Sequence, residues 1–82
     1  MTALRTFLVE AYAPASSDPG SLASQADSAA RPDSIHRLRS ILVPEDEICF
    51  HLFEAESADT LASAIEAAEM RAQRIVEVSV AE

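Results

Sequence analysis

Cysteine occurs once in this sequence, at Cys49, glycine once, at Gly20, and tryptophan not at all. A lone cysteine forms no intrachain disulfide and cannot furnish a cysteine-rich zinc site. Three phenylalanines and one tyrosine are the whole aromatic supply. Positive charge is also short: six basic residues stand against fourteen acidic ones, for a net charge of −8. Phosphate binding needs a basic stripe that this composition does not supply, which argues against nucleic acid as a partner. The same sign argues against docking on anionic lipid. No apolar run approaches the ~20 residues of a membrane span. The first ten residues lack the basic region, long apolar stretch and cleavage site of a secretory signal, so a cytoplasmic address is expected.

What is present is one domain's worth of chain, residues 1–82, with 49% apolar residues. A chain of this size hides only about 60–65% of the surface it exposes when unfolded. Much of the apolar fraction is alanine, which buries little area. The core is therefore thin, and association offers a way to bury more.

Residues 4–12 (LRTFLVEAY) are rich in aliphatic and aromatic side chains and read as a strand. A loop with two prolines and the glycine follows. Asp18 before Pro19 is a helix start, a side-chain acceptor followed by a residue of preset φ. Leu22, Ala26, Ala29 and Ala30 recur at helical spacing, and Arg31-Pro32-Asp33 ends the pattern. Residues 35–43 (IHRLRSILV) and 48–55 (ICFHLFEA) are two strands joined by the acidic turn Pro44-Glu45-Asp46-Glu47. Ser57 caps a second helix, Asp59 suits its dipole, and Leu61, Ala64, Ile65 and Ala68 form its inward stripe. Arg71 and Arg74 lie at or beyond its end, and residues 75–80 (IVEVSV) alternate as a closing strand. The order β-α-β-β-α-β predicts an α+β, ferredoxin-like βαββαβ sandwich: a four-stranded antiparallel sheet with two helices on one face.

Period-two alternation sorts the strand side chains. Phe7, Val9 and Ala11 suit the helix-covered face, which leaves Thr6, Leu8, Glu10 and Tyr12 on the open one. On the last strand Val76, Val78 and Val80 suit the core, and Ile75, Glu77 and Ser79 the open face. The hairpin register depends on loop length, and a one-residue slip reverses every side chain. A three-residue loop groups Leu38 and Leu42 with Ile48, Phe50 and Leu52, and Arg37, Arg39 and Ile41 with Cys49, His51 and Phe53. A two- or four-residue loop instead sets Leu38 and Leu42 beside Cys49, His51 and Phe53. The first grouping gives the cleaner apolar face and is the expected one. It places Leu8, Glu10, Tyr12, Arg39, Ile41, Cys49, His51, Phe53, Ile75 and Glu77 on the open face. A face so mixed in polarity fits a homodimer interface enclosing a cleft.

The segments FLVEAYAP, LRSILVPEDEICFHLFEA and RIVEVSV resemble a family of small bacterial ferredoxin-like proteins, largely of unknown function, with a nickel-binding or nickel-responsive branch. The resemblance covers most of the chain and is weakest over residues 15–34. It implies the same fold, a dimer and nickel as a candidate ligand. The nickel branch carries histidines on and after the first strand, where this chain has Glu10 and Tyr12. The family also tends to a glycine after the second helix, where this chain has Glu69-Met70.

His36 and His51 do not suit one ion. They fall on opposite faces with a three-residue loop. With a two- or four-residue loop His51 faces Ser40, and His36 is four residues further, roughly 13 Å along the strand. A metal site would need His51 with Cys49 or Glu10, or residues of a second subunit. Glu10, Tyr12, Arg39, Cys49, His51 and Phe53 together form a candidate small-ligand pocket. Glu10 and His51 could there act as an acid–base pair, unless Glu10 is neutralised by Arg39. Cys49 has neither a base nor an oxyanion site to make it a nucleophile. Three readings follow: a non-catalytic homodimeric binding or accessory protein first, a nickel or other transition-metal binding protein second, and a cofactor-free acid–base enzyme for a hydrophobic small molecule third.

Overall fold

The computed structural model describes residues 3–31 and 34–81. Its elements are β1 (Arg5–Tyr12), α1 (Pro19–Ala29), β2 (His36–Val43), a 3-10 turn (Pro44–Asp46), β3 (Ile48–Ala55), α2 (Ala58–Ala67) and β4 (Ala72–Glu77). The strands form one antiparallel sheet in the order β2-β3-β1-β4. This is the expected ferredoxin-like arrangement.

Local chemistry sets the helix ends. The Asp18 carboxylate accepts from the Ser21 N–H at 2.9 Å, with Pro19 just inside the helix. The Ser57 hydroxyl accepts from the Thr60 N–H at 3.1 Å at the start of α2. α1 stops at Ala29 with Ala30 as its C-cap; Pro32 and Asp33, expected to end it, lie outside the described residues. α2 closes in a Schellman motif: Glu69 N–H donates to the Glu66 carbonyl and Met70 N–H to the Ile65 carbonyl, at 3.0 and 3.2 Å. Glu69 takes the left-handed conformation, φ 58°, that the motif requires.

Both helices cover the same side of the sheet. Phe7, Val9, Phe53 and Ala55 meet Ala26 and Ala29 of α1 and Leu61 and Ile65 of α2, with Ile35 and Met70 completing the cluster. Burial alternates cleanly along β3, with Cys49, His51, Phe53 and Ala55 buried. The alanines of α1 bring the helix close to the sheet at little volume, so the core is shallow on that side.

The hairpin register corrects the expectation. Val43 pairs with Ile48, so the connection has four residues, and Leu42 faces Cys49 and Ser40 faces His51. The 3-10 turn is closed by Glu47 at φ 52°, whose N–H donates to the Pro44 carbonyl at 3.2 Å. Cys49, His51 and Phe53 therefore face the helices, opposite Ala11, Val9 and Phe7 of β1. A bulge at Leu38 then pairs Arg37 with Phe53 and Arg39 with Leu52. Arg39 and Ile41 thus stay on the open face, as expected, while Ile48, Phe50 and Leu52 join them there.

β4 is also displaced. It spans Ala72–Glu77, and its register skips Gln73, pairing Ala11 with Ala72 and Glu10 with Arg74. Ile75, opposite Val9, packs against the core, and Val76, opposite Leu8, lies on the open face. This reverses the expected facing of Ile75, Val76 and Glu77. Val80, expected inside, is 56% exposed.

Candidate functional site

His51 is the one buried polar or charged side chain among the described residues, 2% exposed. β3 carries it onto the helix-covered face, between Cys49 and Phe53, and its ring tilts at 55° to that of Phe53. A buried imidazole is costly unless its nitrogens find partners. The four-residue hairpin loop supplies one by setting Ser40 across from it, with Ser40 Oγ 2.7 Å from His51 Nδ1. Arg37 Nη1 donates to the same Oγ at 3.3 Å, and Arg37 Nε donates to Asp27 Oδ1 of α1 at 2.7 Å. A chain of polar contacts thus runs from a surface carboxylate to the buried ring.

That chain is compatible with either ring tautomer, because the Ser40 hydroxyl can donate to Nδ1 or accept from it. Ser40 Oγ accepts from Arg37, so its own hydroxyl proton is free to go to His51 Nδ1. When that proton is given to Nδ1, the neutral ring carries its hydrogen on Nε2. Burial pushes the His51 pKa down; the Arg37 guanidinium pushes it the same way, and Asp27 opposes both. The ring is neutral in its resting state near pH 7.

His51 lines a cavity of ≈ 300 Å³ between the end of the sheet and the helices. Ala11, Tyr12 and Cys49 border it from the sheet, Leu22 and Gln25 from α1, and Glu69, Met70 and Arg71 from the segment after α2. Tyr12 stands at the end of β1 with its hydroxyl donating to Glu47 Oε2 at 3.3 Å. The Glu47 charge, with burial and that hydrogen bond, raises the Tyr12 pKa. Burial likewise raises the Cys49 thiol, partly offset by a backbone hydrogen bond at Ile41. Neither group is activated as a nucleophile.

The six candidate pocket residues are therefore divided. Tyr12, Cys49 and His51 gather at this cavity, and Phe53 packs beside His51 in the core. Glu10 and Arg39 lie on the other side of the sheet. Glu10 has its counterion in Arg74, at 3.8 Å, and not in Arg39. The acid–base pair of Glu10 and His51 is excluded by the register, since Val9 and not Glu10 shares the face of His51. The metal set of His51, Cys49 and Glu10 is split in the same way, and no cluster of three such donors occurs among the described residues. The donors thus do not fit a nickel ion within one subunit.

Asp27, Arg37, Gln25 and Arg71 were not singled out as site residues from sequence. Ser40 was legible only through the four-residue loop, which put it opposite His51. On the open face a wider groove of ≈ 630 Å³ runs past Thr6, Leu38, Arg39, Leu52 and Glu54 to Val80 and Ala81. Among the described residues no helix is long and apolar enough to cross a membrane.

No protein-family model matches the chain. No curated protein matches it either. Among solved structures, the crystal structure of SCO4226 from Streptomyces coelicolor A3(2) is similar, with a TM-score of 0.77 at 18% sequence identity. The match covers 94% of this chain and 99% of that one. At this identity the likeness shows a shared fold, that of a small βαββαβ sandwich.

Proposed function

We propose that the protein is a non-catalytic binding protein that admits a small molecule to the cleft beside His51 and pairs with a second copy through its uncovered sheet face. The observation that carries this is the buried His51 ring, fixed through Nδ1 by the Ser40–Arg37–Asp27 chain at the wall of a cavity. Small-ligand sites are concavities in which a few polar groups converge, and here His51, Gln25 and Arg71 converge beside Ala11, Leu22 and Met70. A non-catalytic role fits the raised thiol and phenol pKa values, because no nucleophile is poised there.

Pairing is favoured by the uncovered face. Leu8, Phe50, Leu52, Ile41 and Val76 lie on adjacent strands there, and Leu38 and Ile41 are 47% and 51% exposed. At ~3.3 Å per residue and ~4.8 Å between strands, such a face offers roughly 500 Å² per protomer. Two copies would bury about 1,000 Å², near the lower bound for a specific interface. Sedimentation equilibrium at micromolar concentration should give a dimer; a monomer there would remove this half of the proposal. Nickel binding, which the family resemblance implies, would need donors from both subunits. Calorimetric titration with nickel should show no uptake below millimolar concentration.

A further inference from the structure

Building on the cleft proposed above, we infer that its ligand is a small carboxylate with an apolar body, its carboxylate received by the Nε2–H of His51 and the Arg71 guanidinium. The polarity of the site follows from the contact chain. Arg37 donates to Ser40 Oγ, and the described hydrogen bonds offer the Ser40 proton no acceptor except His51 Nδ1. With the Ser40 hydroxyl donating to Nδ1, Nε2 bears hydrogen and presents a donor. It has no protein partner among the described residues, yet no buried side-chain nitrogen or oxygen there is left unpartnered. Nε2 is accordingly open to space that a water or ligand atom can reach. The Nδ1 edge is turned toward β2, so that space is the cavity His51 lines.

A donor fixed in the wall of a cleft of mixed polarity favours an acceptor. Arg71 borders the same cavity and adds a full positive charge and a planar fork suited to carboxylate. Its position follows from the Schellman motif, since buried Met70 anchors the residue before it. Leu22, Ala11 and Met70 supply the apolar wall. The volume, ≈ 300 Å³, sits at the small end of ligand sites and suits a compact molecule. Glu69 also borders the cavity and works against an anion; it and Arg71 are both exposed and screened by solvent, so the preference for carboxylate rests on the Arg71 fork together with the His51 donor.

Benzoate, benzamide and benzylamine are suitable probes, matched in shape and differing in charge. Two-dimensional NMR of the full chain should show saturable shifts at Leu22, His51 and Met70 with benzoate, and weaker or no shifts with benzylamine. Arg71→Gln, a surface change, should weaken benzoate roughly tenfold or more, as should His51→Phe with the fold checked by circular dichroism. A nitrogen-15 spectrum of His51 should report the Nε2–H tautomer, and Ser40→Ala should erode it. Binding of all three probes with similar strength would overturn carboxylate selection while leaving the cleft reading in place. If none moved the cleft resonances, both would fail. A resting Nδ1–H tautomer would overturn the assignment of His51 as donor.

Discussion

His51 is held by one edge of its ring, with Nδ1 tied to Ser40, and the residue lines the cleft. Ser40→Ala would strand a buried acceptor and one Arg37 donor, at a cost of about 1–3 kcal/mol by urea denaturation. The same burial makes stability depend on pH. His51 has a folded pKa below its unfolded value, so at acid pH the unfolded chain binds the extra proton. Its contribution is full above the unfolded pKa of about 6.5 and is lost as pH falls through the folded value. Urea midpoints should therefore decline as pH drops below that point, and His51→Phe should flatten this part of the profile. Glu69 is the other residue with a sharp prediction. It occupies a left-handed position, φ 58°, where its side chain is strained and glycine is not. Glu69→Gly should raise stability by about 1 kcal/mol. The sequence resemblance marked this site as one where glycine is usual, and the backbone gives the reason.

The elements differ in how firmly the sequence sets them. Both helix starts were legible because capping is local: Asp18 and Ser57 act on N–H groups three residues on. Asp18→Ala should cost about 1 kcal/mol and fray α1. Leu61→Ala, which hollows the fully buried face of α2, should cost about 2–5 kcal/mol in the same denaturation assay. The contrast reflects cavity formation in one case and a lost hydrogen bond in the other. Strand existence was equally legible, and β3 falls on the expected residues. Strand facing was not. Ile48, Phe50 and Leu52 make a more apolar row than Cys49, His51 and Phe53, yet the second row is the buried one. Two bulges, at Leu38 and Gln73, decide which side of each edge strand meets the core, and neither has a signature in its own segment.

Across the molecule, one sheet separates two surfaces of different character. The covered side holds the His51 cleft; the open side presents Leu8, Ile41, Phe50, Leu52 and Val76. Leu52→Lys should lower the sedimenting mass to that of a monomer while leaving the circular dichroism spectrum intact, because Leu52 faces away from the core. It should also leave benzoate binding at His51 unchanged, since the cleft lies across the sheet. A loss of both together would mean that pairing completes the cleft.

The order and kind of the elements, both helix caps and the inward row Phe7, Val9 and Ala11 follow from the amino-acid pattern. These depend on neighbours a few residues away and on periodicity within one segment. The tertiary structure alone decided the side of the sheet on which Cys49, His51 and Phe53 lie, and hence that Glu10 and His51 never meet. A period of two states which side chains share a face but not which face is buried. Where both rows are apolar enough to bury, the choice falls to the four-residue loop closed by Glu47 and to pairing with β1, which lies far away in the chain.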